Sequence, residues 1–342
     1  MDVDLTEEQE FFAETTRRFL WDQCPTTVVR ALEANPDGFD RAFWKAGCEL
    51  GWTSMLVSEA DGGGCLSGPG RGILDLALVA EEMGRVVAPG PLVPTNVVAF
   101  ALSHGGTAQQ KQRWLPGLLH GEQIGAWVNG SGSVVEAGAQ ADVFVYSLGD
   151  RLRVIAADDP AVQVTPWEGL DLVRRYASVV IADDAAGEPL VGSAESLSRI
   201  ALVLQCAETC GVVDAVFEMT LEYLGHRYSF GRPLASYQAL KHRIADDKMH
   251  LEGCHAITTA AARAVADDVA NAGELVSAAK AWIGSVATDI VQDCVQHHGG
   301  IAVTWEHDIH LYLRRATVNR AMYGTASAHR QRLATTILGT AS

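Results

Sequence analysis

R-Y-S-F-G-R-P-L-A-S-Y-Q, residues 227–238, joins two long apolar-periodic stretches and decides how the second half of this chain reads. It holds Arg227, a Phe230-Gly231 pair and Gln238. Q-H-H-G-G follows at 296–300, about one long helix later, and Y-G-T at 323–325. Apolar residues recur at helical spacing through 197–226, 237–270, 274–298 and 306–323. Long helices with short joints predict an up-and-down four-helix bundle over 193–342.

Upstream the texture changes. Between 123 and 192, V-F-V-Y-S-L, R-L-R-V-I-A and S-V-V-I-A are short β-branched or alternating runs. D-D-P, G-D and G-E-P separate them as turns, which predicts a small β domain. Residues 1–122 read as helical. Thr6 is an N-cap with Gln9 at capping-box spacing, and Phe11, Phe12 and Phe19 are expected to face inward together. D-G-G-G-C at 61–65 reads as a loop before a helix around 73–83: no strand precedes it and no G-K-[ST] follows. P-G-P at 89–91 breaks the chain, and Q-Q-K-Q-R-W-L-P-G-L-L-H-G at 109–121 reads as a short helix stopped by Pro116.

The 342 residues are 48% hydrophobic, enough for a large core. A net charge of −16 argues against nucleic acid as a partner, though a phosphate-bearing cofactor needs only a few local donors. No continuous apolar run reaches the ~20 residues that cross a bilayer, so no membrane role is expected. The acidic start M-D-V-D-L-T-E-E-Q has no basic leader segment, so the cytoplasm is the expected compartment. Seven scattered cysteines without C-x-x-C read as free thiols in a reducing compartment.

Arg227, Phe230-Gly231 and Gln238, followed by Gln296-x-x-Gly299-Gly300, resemble the C-terminal half of the acyl-CoA dehydrogenases. D-L-T-E-E-Q, the D-G-G-G loop, A-E-E-M-G at 80–84 and the 109–121 stretch fit that family in the same order, so the likeness covers nearly the whole chain. It implies a mainly α fold: a helical N-terminal domain, a shortened β domain and a C-terminal four-helix bundle. It also implies FAD shared at a subunit interface. Arg227 matches an arginine that bonds the diphosphate of a flavin held mainly by the neighbour, and guanidinium suits that task. Ser229 stands where a hydroxyl often donates to the same phosphates. Phe230 would pack on the flavin, Gly231 would let the backbone turn closely, and Gln238 opens the next helix. Gln296, Gly299 and Gly300 match the segment at the adenine end. A lone arginine would read as a surface ion pair; the joint motifs favour the cofactor. Ala302 replaces a common third glycine.

The other half of the family site departs from the pattern. No T-E-P…G-S-D loop or W-I-T strand follows E-Q-I-G-A-W-V-N-G. Tyr323 occupies the position of the usual catalytic glutamate, and a phenol with an ordinary pKa of ~10 is a poor α-proton acceptor. An alternative family position for the base falls near Ala201, with Leu202 replacing the adjacent arginine; Glu208 lies two turns on. Glu306 reads as an exposed helix-start carboxylate. Arg314 sits at a family arginine position and reads as structural, while Arg315 replaces a common aspartate. His297, His298, His307 and His310 lack the paired Glu-x-x-His pattern of a dimetal bundle, so no metal is expected.

The chain therefore resembles the base-less partner of heteromeric acyl-CoA dehydrogenases, with no catalytic residue of its own. The resemblance implies an α2β2 heterotetramer with a competent subunit that supplies the glutamate and carries most of the substrate. It also implies a bulky or steroid acyl-CoA and an acceptor such as an electron-transfer flavoprotein. Two other readings stand beside it: a self-sufficient dehydrogenase with a rewired base, and a scaffold subunit that binds no flavin.

Overall fold

The computed structural model describes residues 5–130, 134–148, 151–182, 185 and 187–339. Helices come first: α1 (Glu7–Gln23), α2 (Thr26–Ala31), α3 (Arg41–Glu49), α4 (Gly72–Arg85), α5 (Leu92–Gly105) and α6 (Ala108–Leu119). The expected capping box is present: Gln9 N–H donates to Thr6 Oγ1 and Thr6 N–H to Gln9 Oε1. Two expectations fail here. Phe11 is 75% exposed, while Phe12 and Phe19 pack on the core; α1 presents only part of its aromatic row to the protein. Pro116 lies inside α6 rather than ending it. The buried Trp114, Leu115 and Leu118 carry the helix through the missing donor.

The middle of the chain forms strands β1 (Gly125–Val128), β2 (Val134–Glu136), β3 (Val143–Leu148), β4 (Arg151–Ala156), β5 (Val162–Trp167), β6 (Tyr176–Ile181) and β7 (Glu188–Leu190). They make a four-stranded sheet, β1-β3-β4-β7, and a three-stranded sheet, β2-β6-β5. The β1–β3 pair is parallel and the other pairs of the two sheets are antiparallel. Gly187-Glu188-Pro189 was expected to turn; instead Glu188 and Pro189 form β7 at the sheet edge, where proline's missing donor costs least. The expected G-D turn at 149–150 lies outside the described residues.

Alternation along the strands sets two cores. Trp127, Val143, Val145, Leu152 and Val154 join the main core. Ala126, Val128, Phe144, Tyr146 and Ile155 join Val135, Ala177 and Val179 in a separate cluster between the sheets. The smaller sheet thus buries its apolar face against the larger one.

The C-terminal part is α7 (Ala194–His226), α8 (Gln238–Ala266), α9 (Ala272–His298), α10 (Ile309–Ala321) and α11 (Ala326–Leu338). The four expected helices are there, and α11 is a fifth. An 18-residue window of α7 has a mean hydropathy of 1.7, apolar enough by composition to cross a bilayer, but 89% of it is buried in the protein. Helices α4 and α7 cross at very close range. A Cβ on Gly84 would meet Glu208 O at 2.0 Å, and one on Gly211 would meet Glu81 O at 1.9 Å. That crossing fixes Glu208 beneath the β layer. All seven cysteines are free, and burial pushes the Cys24, Cys48, Cys254 and Cys294 thiols up to about 12.

Candidate functional site

The 227–238 segment is a short staple between α7 and α8. Arg227 caps α7, its N–H donating to Tyr223 O at 2.8 Å. A two-residue hairpin pairs strands β8 (Tyr228–Ser229) and β9 (Arg232–Pro233). Phe230 and Gly231 form its tip with φ of 51° and 81°. Positive φ at both central residues matches the twist of a tight hairpin, at a cost for a non-glycine such as Phe230. Leu234 N–H donates to Arg227 O, and Tyr237 Oη donates to Ser229 O at 2.8 Å. The Arg232 guanidinium lies 3.8 Å from the centre of the Tyr237 ring. Such cross-braces hold Phe230 out in solvent at 96% exposure.

The second motif comes alongside. Tyr223, one turn before Arg227, stacks on His298 with ring centroids 4.4 Å apart and donates Oη to His298 O at 3.3 Å. Arg243, on the turn after Gln238, pairs with Asp293 on the turn before Gln296. Arg227, Gln238, Gln296, Gly299 and Gly300 are all exposed; Ser229 is half-buried. A Cβ built on Gly231, Gly299 or Gly300 would meet nothing within 4 Å. Gly299 ends α9 at φ 66°. This face therefore presents a guanidinium, amide groups and bare backbone to open space. That chemistry fits a phosphate-bearing nucleotide tail.

The neighbouring histidines serve the fold. His297 Nδ1 lies 2.6 Å from Asp293 O, and His298 Nδ1 2.9 Å from Cys294 O. His307 Nδ1 accepts from Ile309 N–H, and His310 stacks on Trp305. Ala302 is buried at the end of this segment. Glu306 is exposed, in the turn before α10 rather than within it. The groups of possible metal ligands within 4.8 Å of one another are, among the described residues, a single trio: Glu81, Asp214 and His255. His255 Nε2 lies 3.0 Å from Asp214 Oδ1, and Arg85 pairs with Asp214 at 3.3 Å. The trio reads as an ion-pair cluster tying α4, α7 and α8.

The interior around Tyr323 is built differently. Tyr323 holds φ at 57° in the turn before α11, and Thr325 Oγ1 caps that helix by accepting from Ala328 N–H. Its ring stacks on Trp127 of β1, centroids 6.1 Å apart and planes 18° apart. Burial pushes its hydroxyl above the ordinary phenol range; Arg174 opposes that shift and Glu208 adds to it. Ala201 and Leu202 are fully buried apolar residues of α7.

Both carboxylate oxygens of Glu208 are engaged. Arg174 and Arg315 both donate to Oε1, the latter at 2.7 Å, and Asn319 Nδ2 donates to Oε2 at 3.0 Å. Arg174 also pairs with Glu136, and Arg315 with Asp171 at 2.5 Å. These five ionic side chains, Glu136, Asp171, Arg174, Glu208 and Arg315, are at most 6% exposed. Arg315, not Arg314, is the buried arginine; Arg314 reaches out to Leu170 O. None of this ionic set was singled out as a cluster from sequence. The available signal was Arg315 itself: a charge reversal at an aspartate position demands a new acid nearby.

Residues 6–122 match the acyl-CoA dehydrogenase N-terminal domain and residues 193–338 match the acyl-CoA dehydrogenase C-terminal domain. The chain is 33% identical to the acyl-CoA dehydrogenase IpdE2 of Mycobacterium tuberculosis over 91% of each chain. A structure of the Tcur3481-Tcur3483 steroid ACAD G363A variant superposes with a TM-score of 0.87 at 27% identity, covering 98% of this chain and 99% of that one. The ChsE4-ChsE5 complex from Mycobacterium tuberculosis gives a TM-score of 0.87 at 25% identity, covering 100% of both chains. The chain belongs to the acyl-CoA dehydrogenase family.

Proposed function

We propose that this chain is the base-less subunit of a heteromeric FAD-dependent acyl-CoA dehydrogenase. One observation carries the reading. The residues suited to a nucleotide tail stand together on open surface, while the base position holds Tyr323 stacked on Trp127 and Glu208 nearby is consumed by Arg174, Arg315 and Asn319. The chain offers one half of a shared site and fails to offer the other. Two copies of it cannot complete each other, because each lacks the same half. The complementing surface must come from a related but unlike chain, in an α2β2 assembly.

FAD, when bound, supplies the oxidant for α,β-desaturation of a thioester. Arg227 and Ser229 would bond its diphosphate, Phe230 and Gly231 would cover it, and Gln238, Gln296, Gly299 and Gly300 would border its adenine end. This chain's residues bind and orient; the proton is taken by a glutamate of the partner. The likeness to a steroid ACAD structure supports a bulky acyl-CoA as substrate, and a cytoplasmic location and an electron-transfer flavoprotein as acceptor complete the reading. Purification of the chain by itself tests it. The expected result is a colourless protein that turns yellow and active only with a related chain from the same genome. A yellow protein that bleaches with acyl-CoA by itself supports the rewired-base reading instead.

A further inference from the structure

We infer that residues 170–175, L-D-L-V-R-R, form a keystone that fixes the helical layers and the β layer relative to one another, with Glu208 as its positioning residue. The smaller sheet has its own apolar cluster, separate from the main core. Its attachment to the helices runs through the loop between β5 and β6. Leu172 and Val173 of that loop enter the main core. Asp171 caps the turn by accepting from the N–H groups of Val173 and Arg174, and its other oxygen holds Arg315 of α10.

The two arginines then point opposite ways, Arg174 buried and Arg175 half-buried. Arg174 turns inward and bridges Glu136 of β2 to Glu208 of α7. Arg175 turns outward and donates to the carbonyls of Leu32, Glu33, Asn35 and Pro36 in the N-terminal part, and to Leu172 O within its own loop. One six-residue segment thus reaches the N-terminal helices, the smaller sheet and the bundle. Its inward half is ionic and buried: Glu136, Asp171 and Glu208 share two guanidinium groups, so loss of Glu208 leaves the charges paired but takes one acceptor from Arg174, one from Arg315 and one from Asn319. Glu208, held by two guanidinium groups from different layers, is where the halves join. This role stands apart from the subunit reading, since it concerns how the chain holds itself together with or without a partner.

Hydrogen–deuterium exchange on the full-length chain tests it. Glu208→Gln should speed exchange at 134–136 and 176–181 by about 10-fold or more, with 283–291 of α9 unchanged. Unchanged protection in β2 and β6, or equal loss in the sheet and α9, overturns the inference. If Glu208→Gln does not fold, Arg175→Ala decides. It touches only the outer half and should speed exchange at 32–36 by about 10-fold while β6 stays protected. No change at 32–36 also overturns the keystone.

Discussion

Around Arg227 the protein is unfinished; around Glu208 it is closed. Phe230 stands 96% exposed on a hairpin tip with positive φ, beside glycines that face open space. Arg315 is 0% exposed and Glu208 2%, with both carboxylate oxygens of Glu208 engaged. Both regions use arginine, with opposite physics. An exposed guanidinium keeps its donors for a ligand, and the positive φ of the Phe230 tip and the bare glycines beside it suit a surface that something covers. A buried guanidinium has surrendered its donors to carboxylates and now holds layers in place. Tyr323, at the position where the family resemblance implies a catalytic glutamate, lies within reach of the second kind of arginine, Arg174, and the proposed division therefore gives this chain the binding and its partner the proton removal.

The largest effect should come from the closed region. Glu208→Ala leaves Arg174 and Arg315 paired with Glu136 and Asp171 but takes an acceptor from three buried donors, on Arg174, Arg315 and Asn319, and should lower unfolding free energy by about 3 kcal/mol in urea titrations. Retention of most of the wild-type stability would break the contrast.

Lys280 extends the polar interior. It is 2% exposed and, among the described residues, donates to Gln205 Oε1 and Asn319 O, both neutral. Burial lowers its pKa from 10.5 to about 8, which at about 1.4 kcal/mol per pH unit is a penalty of about 3 kcal/mol. The penalty is full below pH 8, where the lysine is charged folded and unfolded. Stability should rise with pH from about 8 to 10.5, where only the unfolded chain keeps the proton. Lys280→Met should therefore be more stable than wild type at pH 7, with the gap closing by pH 10. Urea midpoints across that range check the sign.

For the open region, Arg227→Ala in the assembled complex should weaken flavin retention about 10- to 100-fold, the value of charge-assisted hydrogen bonds. The melting temperature of the isolated chain should not move. Unchanged flavin content would favour the scaffold reading. The smallest effect is expected at Tyr323→Phe, which keeps the ring on Trp127 and removes only the hydroxyl. It should change stability by less than about 1 kcal/mol and leave turnover of the complex intact. A tenfold loss of turnover would make Tyr323 a participant.

What was legible in the sequence was what is local. The Thr6–Gln9 cap, the alternating β3, β4 and β6 and the four long helices all follow from spacing over a few residues. Misreadings came where tertiary contacts outweigh local preference: Pro116 inside α6, Glu188-Pro189 as an edge strand, Phe11 in solvent. Helix α11 passed unnoticed because it buries little beyond Ala326 and His329. In the candidate site, Arg227 and Gln296 were legible as motifs with fixed offsets. The role of Glu208 was not, because its partners lie 34 and 107 residues away and no periodicity links them.

The flavin-to-chain ratio of the native complex, measured with every chain in it identified, separates a shared site from a complete one. One flavin for each pair of unlike chains is the expected result. A homotetramer of this chain alone, carrying one flavin per subunit and full dehydrogenase activity, would contradict it.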